Sequence, residues 1–323
     1  MKQIIQQLRN SNHLLIVSHV NLDGDAVGSL LATGLAMATQ VDRVTLFSET
    51  PVPVVYRFLP SSDCIVHDLD DTESFDAAIV LDCADLDRVG KSRSWICRIP
   101  VVINIDHHIT NTGFGDYQLV DTCACATAEI VYRLIGEMNI PMDSAIGTSI
   151  YTGILTDTGS FRFSNTTRVA FAICEEMVRL GVDPYNVAQH VYGTYSLGRI
   201  KLLLLALDSI EISRNGKVSM MVLNREMLEQ TATTSEDIDG FVNYARSIKD
   251  VELAVLIQEK NDSIRADNAP GRFHVSLRSE GQVDAAAIAA SFGGGGHPVA
   301  AGFSIESTLP DLKERLLALA ETL

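Results

Sequence analysis

No stretch of this 323-residue chain approaches the ~20 uninterrupted apolar residues needed to cross a bilayer, which argues against a membrane protein. The opening segment Met1-Lys2-Gln3-Ile4-Ile5-Gln6-Gln7-Leu8-Arg9 has an amphipathic helical pattern, with no apolar core or cleavage site after it. It does not read as a signal peptide, and a soluble cytoplasmic protein is expected. A cysteine framework is missing too. The six cysteines (Cys64, Cys83, Cys97, Cys123, Cys125, Cys174) are scattered, and Cys123-Ala124-Cys125 is too tight for the usual zinc pair. Small buried thiols are expected instead of disulfides. There is no basic stripe: 25 Lys and Arg stand against 41 Asp and Glu, a net charge of −16. Long duplex DNA is thereby disfavoured, since phosphate neutralisation dominates such affinity. A short phosphorylated substrate is not, because metal ions and a few local arginines can reverse the field inside one cleft. No internal repeat or low-complexity tail is evident.

What is present is ample core material, 46% hydrophobic residues, in a length that favours two domains. Apolar, β-branched runs predict strands over 13–18, 44–47, 76–81 and 101–105, of the kind buried on both faces. Helical spacing of Val27, Leu30, Leu31 and Leu35 predicts a helix over 24–37. Alternating β and α implies an α/β domain, a doubly wound, mostly parallel sheet with helices on both faces. Helices follow over 126–138, 143–155 and 167–180, the last ending at Gly181 with Pro184 beyond. Composition shifts near 185–208, and the leucine-rich stretch 200–207 is read as a connecting helix and a hinge for domain closure. A smaller α/β domain follows. Strands over 210–213 and 217–223 flank the turn signal Arg214-Asn215-Gly216. Further strands are expected over 251–258 and 273–277, with helices over 284–292 and 310–319. The division is 1–185 catalytic domain, 186–208 linker helix region and 209–323 second domain.

Four separated segments deliver carboxylates and imidazoles at the ends of buried runs: His19-Val20-Asn21-Leu22-Asp23-Gly24-Asp25, Asp82, Asp106-His107-His108, and Asp157. In open α/β sheets the site lies beyond the carboxyl ends of the strands, so His19, Asp82 and Asp106 should share one crevice. Asp23 and Asp25, two apart on an extended turn, should aim at the same cavity. Mixed Asp and His donors suit Mn²⁺, Co²⁺, Fe²⁺ or Zn²⁺ better than an all-oxygen Ca²⁺ or Mg²⁺ cage. Six or so ligands are too many for one catalytic ion and suit two, about 3.5–4 Å apart, sharing a carboxylate. Taken singly, each residue has a blander role: Asp23 as a helix N-cap, Asp82 as the cap of a turn, Asp157 as a loop residue, His19 as a structural histidine. Their joint order is what points to metal-assisted hydrolysis.

Gly293-Gly294-Gly295-Gly296-His297 sits inside a packed pattern. It reads as a linker or as a backbone nest whose successive N–H groups face a phosphate, with His297 adding a donor. On the preceding strand Val275 and Leu277 point one way, Ser276 and Arg278 the other. Arg278 is either a clamp on the same anion or a solvated surface residue.

Together these motifs, with Val80-Leu81-Asp82, Asp157-Thr158-Gly159-Ser160-Phe161 and Arg278-Ser279, resemble the DHH phosphoesterase superfamily, in its nanoRNase and pAp-phosphatase branch with a DHHA1 second domain. The resemblance spans the chain. It implies two divalent ions, usually Mn²⁺, with Co²⁺ or Mg²⁺ as alternatives. His19 and Asp23 would ligate one ion, Asp25, His107 and Asp157 the other, with Asp82 bridging. Asp106 would orient a neighbouring histidine, and His108 would contact the scissile phosphate or act as general acid. Arg278, Ser279, Gly295, Gly296 and His297 would clamp the substrate end. The implied activity is hydrolysis of short single-stranded RNA to mononucleotides and of 3′-phosphoadenosine 5′-phosphate (pAp). Cleavage of cyclic or linear dinucleotides is the alternative. A RecJ-like DNA exonuclease is disfavoured by the charge and the missing OB-type module, a pyrophosphatase by the glycine motif, and a silent nucleotide sensor by the intact ligand set. A homodimer is compatible with the helices expected at the surface.

Overall fold

The computed structural model describes residues 1–70, 73–260, 270–280 and 283–320, apart from the side chains of His297 and Ala320. It divides into two compact units, 1–194 and 195–323.

In the first unit, α1 (Lys2–Arg9) precedes β1 (His13–Ser18), α2 (Gly24–Met37), β2 (Arg43–Phe47), β3 (Ile65–Val66), β4 (Ala77–Leu81), α3 (Arg93–Ile96), β5 (Val102–Asp106), β6 (Tyr117–Val120), α4 (Thr127–Glu137), α5 (Ser144–Asp157), α6 (Arg168–Arg179) and α7 (Pro184–Tyr192). The six strands form one parallel sheet in the order β3-β2-β1-β4-β5-β6. Chain direction across the sheet reverses between β1 and β4, the switch point where such folds open a crevice at the strand ends. The register is level there: Ser18 pairs with Leu81, and Leu81 with Ile105. Residues 19, 82 and 106 therefore emerge side by side.

Both faces of the sheet are covered. Leu14, Ile16, Ile79 and Ile105 pack under α2, α4 and α5, while Leu15, Val17, Ala78 and Val80 pack against Phe75, Leu86, Val89 and Ile96. This is why β1, β4 and β5 read as unbroken apolar runs. The short edge strands β3 and β6 were not anticipated. β6 alternates half-buried and exposed residues, and β3 is two residues long, so neither carries the signal of a buried strand. Cys83, Cys125 and Cys174 are buried as expected, but Cys64, Cys97 and Cys123 are exposed, and all six are free.

The second unit contains α8 (Leu197–Asp208), β7 (Glu211–Ile212), β8 (Val218–Leu223), α9 (Arg225–Thr231), α10 (Val242–Arg246), β9 (Leu253–Glu259), β10 (Gly271–Ser279), α11 (Ala285–Ser291), β11 (Gly295–His297), β12 (Ala300–Ser307) and α12 (Leu309–Ala320). Its mixed sheet runs β11-β12-β10-β9-β8-β7, with only β8 and β9 parallel. The Arg214-Asn215-Gly216 turn joins β7 to β8, with Gly216 at φ 77°. The leucine-rich helix is not a free connector. Leu202 and Ala206 of α8 lie fully buried with Met221, Leu223, Phe241 and Leu256, so α8 packs as part of this unit's core. Among the described residues no helix is long and apolar enough to cross a membrane.

α2 and α5 touch through glycine. A Cβ at Gly28 would collide with the Ser149 carbonyl oxygen, and one at Gly24 with the Thr156 side chain. This close approach brings Asp25, in the first turn of α2, toward Asp157 at the end of α5. Gly28→Ala should force the helices apart and cost about 1–3 kcal/mol. Gly136→Ala, in α4 with open space around the new methyl, should instead stabilise by about 0.4–1 kcal/mol. Thermal unfolding of the two variants checks the opposite signs.

Candidate metal centre

The turn after β1 puts His19 at the crevice, 3% exposed. Its Nδ1 lies 2.9 Å from the Val20 carbonyl oxygen. A carbonyl can only accept, so Nδ1 carries the hydrogen and Nε2 keeps its lone pair for a ligand. That Nε2 is 3.4 Å from Asp82 Oδ2 and 3.9 Å from Asp23 Oδ2. Asp23 is the N-cap of α2, as its sequence context suggested, with Oδ1 accepting from Ala26 N. Its other oxygen faces His19, so the structural and the functional readings hold for different atoms of one side chain.

Asp82 follows β4 with φ 57°, a left-handed conformation that aspartate tolerates better than most residues. Its two oxygens face different groups. Oδ2 faces His19, while Oδ1 lies 3.7 Å from His107 Nε2 and accepts from the Thr127 hydroxyl at 2.8 Å. His107 Nδ1 meets the Ala124 carbonyl, which again leaves Nε2 for the cavity, 3.9 Å from Asp157 Oδ2. Three sets of donors each lie within 4.8 Å of one another: His19, Asp23 and Asp82; Asp25, His107 and Asp157; Asp82, His107 and His108.

Asp25 does not sit on an extended turn with Asp23. It lies within α2, and its carboxylate accepts from Thr127 N at 2.6 Å and Ala128 N at 2.9 Å. It thus caps α4, whose own N-cap, Ala126, has no side chain to do so. Asp106, fully buried, accepts from Asn111 and holds His108 Nδ1 at 2.7 Å, turning His108 Nε2 outward. Asn165 steadies Asp157 by donating to its Oδ2 and to the Cys125 carbonyl. Thr127, Asn111 and Asn165 escaped sequence reasoning. Each acts through another residue and stands outside any strand-end pattern; Asn111 alone carries a hint, three positions beyond Asp106-His107-His108.

The charges conflict without a cation. Burial, reinforced by Asp82 and Asp157, holds the Asp25 carboxyl well above its usual range. Burial likewise pushes Asp157 up to about 7, against the opposing fields of His107 and His108. Burial disfavours a charge on His107, yet the combined fields of Asp157, Asp82, Asp25 and Asp106 push it up to about 9. Burial opposes ionisation of Asp82 too, but the His19 hydrogen bond and the neighbouring imidazoles outweigh it and hold the carboxyl far below its usual range. Protons and imidazolium here do the work that divalent cations do better. Oxygen and imidazole donors with fixed tautomers fit a borderline divalent metal.

In the second unit, Arg278 lies on the polar face of β10, with Val275 and Leu277 buried on the other side, as the alternation implied. Its Nη1 donates to the Leu277 carbonyl. Ser279 is 2% exposed and its hydroxyl donates to the Pro298 carbonyl, so it braces the turn beyond the glycines. The second half of the glycine run is strand and not loop. Gly295 and Gly296 belong to edge strand β11, paired with Gly302 and Ala301 of β12. Gly294 and Gly296 have no room for a Cβ beside β12, whereas Gly295 faces open space. The backbone of His297 completes β11; its side chain lies outside the described residues.

Two outcomes follow from this geometry. Asp157 and His107 have raised pKa values in the fold, so the metal-free protein should lose stability as pH rises through about 7 and about 9. A divalent cation displaces the same protons; the melting-temperature gain on adding Mn²⁺ should therefore be larger at about pH 8.5 than at about pH 6. Thr127→Val removes the donor to Asp82 while keeping the shape. It should weaken Mn²⁺ binding by about 10–100-fold in calorimetric titration, with the helix content unchanged.

Known proteins resemble this chain in sequence and fold. The model of the DHH family N-terminal domain matches residues 13–154, and that of the DHHA1 domain matches 215–323. The bifunctional oligoribonuclease and PAP phosphatase NrnA of Thermus thermophilus is 32% identical over 308 residues, covering 94% of this chain and 88% of that protein. The protein of the same name from Bacillus subtilis is 29% identical, covering 99% and 97%. The crystal structure of an exopolyphosphatase-related protein from Bacteroides fragilis superposes with a TM-score of 0.88 at 27% identity, covering 98% of this chain and 95% of that one. Strand order, donor geometry and these matches carry one conclusion: the chain belongs to the DHH family, in the branch whose second domain is DHHA1.

Proposed function

We propose that this protein is a phosphoesterase working with two divalent cations, Mn²⁺ foremost, that cleaves short oligoribonucleotides to 5′-mononucleotides and removes the 3′-phosphate of pAp. The observation that carries this is Asp82, whose two oxygens face two separate donor sets. His19 and Asp23 belong to one set, Asp25, His107 and Asp157 to the other, and Asp82 bridges them. The substrate assignment draws on the relatives named for oligoribonuclease and pAp phosphatase activity, which run nearly the whole length of this chain.

When bound, such a pair of cations polarises the phosphoryl group and lowers the pKa of a water molecule to supply hydroxide near neutrality. The chain does the rest. Asp25, anchored on the N-terminus of α4, and Asp157, anchored by Asn165, keep their donor atoms fixed before substrate arrives. His108 is oriented by Asp106, so its Nε2 can hand a proton to the departing ribose oxygen. In the second unit Arg278 pairs with a substrate phosphate. The outer edge of β11, at Gly295, Gly296 and His297, which no described strand covers, offers backbone N–H groups to the same end. Ser279 supports that edge through Pro298.

A panel of 5′-phosphorylated oligoribonucleotides of graded length, with pAp, linear pApA and pGpG, and cyclic di-AMP, assayed with Mn²⁺ and with Mg²⁺, tests the proposal. Fastest turnover is expected on dinucleotides and pAp with Mn²⁺. Asp82→Ala should reduce turnover by at least about a hundredfold while the fold persists. Preference for the cyclic dinucleotide would transfer the assignment to the alternative activity, and full activity of Asp82→Ala would remove the metal assignment.

A further inference from the structure

Five carboxylates, from Asp23, Asp25, Asp82, Asp106 and Asp157, surround the crevice. They outnumber the four positive charges of two divalent cations. A phosphate arriving there meets a field that is still negative unless the chain supplies a cation of its own. In the first unit, Arg88 stands on the turn bonded to the loop that carries His19.

After Asp82 the chain enters a short helical turn. Leu86 and Val89 anchor it by packing into the core on the far face of the sheet. Asp85 caps it by accepting from Asp87 N, and Asp87 pairs with Arg93. The turn is pinned to the metal-side loop. Val20 N donates to the Arg88 carbonyl at 2.8 Å, and Val20 O is the acceptor that fixes the His19 tautomer. Gly90 allows the close fit, since a Cβ there would lie 2.7 Å from Val20 Cγ1. Arg88 falls between the two buried anchors, so its side chain projects away from the core and is exposed. Its neighbours Asp85 and Asp87 are engaged elsewhere, and among the described residues no carboxylate holds its guanidinium.

We infer that Arg88 is a substrate-binding residue whose guanidinium takes the nonbridging oxygens of a substrate phosphate on the His19 side of the cluster. Arginine suits this place because its planar fork matches a phosphate bidentately and it stays charged at any working pH. The inference rests on the proposed phosphoesterase reading, and deepens it by naming the residue that offsets the excess of carboxylates.

The test compares wild type, Arg88→Ala and Arg88→Lys, all loaded with Mn²⁺. The probes are a phosphorothioate-linked diribonucleotide and inorganic phosphate, both followed by equilibrium binding. Mn²⁺ affinity and melting temperature should be unchanged, because Arg88 touches neither ligands nor core. Affinity for both probes should fall by about 10–100-fold in Arg88→Ala, with partial recovery in Arg88→Lys. Affinity for phosphate within twofold of wild type in Arg88→Ala, or a loss matched by lower Mn²⁺ affinity or a lower melting temperature, would overturn the inference. The phosphate arm separates the two claims. Wild type that binds Mn²⁺ and phosphate but neither binds nor cleaves dinucleotides refutes the proposed substrate, while the phosphate affinities still decide Arg88.

Discussion

The site depends on one carboxylate. Asp25 accepts the first two backbone N–H groups of α4 and thereby fastens α2 to α4 at the point where both meet the sheet. Thr127, the residue whose N–H it receives, turns its hydroxyl to Asp82 at the end of β4. Three elements far apart in sequence are locked together by a cap that α4 does not provide for itself. The positive end of a helix stabilises a carboxylate there, which offsets part of the repulsion from Asp82 and Asp157.

That arrangement shows how a fold stores acidity. Burying carboxylates within a few ångströms of one another is costly unless something positive joins them. In this protein the backbone supplies part of the offset through Thr127 and Ala128, and the imidazoles supply another part. The pKa values of Asp25, Asp157 and His107 are raised accordingly, and a divalent cation among these groups would offset the remainder. The same reasoning separates the donors from their supports. His19 and His107 spend one ring nitrogen on a carbonyl and keep the other for the cavity, whereas Asp106 spends both oxygens on His108 and Asn111.

Single residues also serve structure and site at once. Asp23 caps α2 with one oxygen and faces His19 with the other. Gly24 and Gly28 let two helices touch and so set the separation of Asp25 and Asp157. In the second unit, the proximity of β12 requires glycine at 294 and 296, a left-handed backbone favours it at 293, and Gly295 alone faces open space.

Much of this was legible in the chain itself. Apolar runs fixed β1, β4 and β5 because strands buried on both faces admit no polar interruption, and the acidic and imidazole residues directly after them could only cluster beyond the sheet's carboxyl edge. The edge strands β3 and β6 left no such trace. The supports Thr127 and Asn165 left none either, and Asn111 only its nearness to Asp106-His107-His108; Thr127 reaches Asp82 across 45 residues, whereas Asn111 and Asn165 act on residues 5 and 8 positions away. The place of α8 also needed tertiary contacts, since a leucine-rich helix reads alike whether it connects domains or packs within one. What the sequence determined alone is which side chains gather, because strand period and order dictate that. What only the tertiary structure decided is how each donor is oriented and charged, because tautomer, capping and pKa depend on partners that no local pattern reveals.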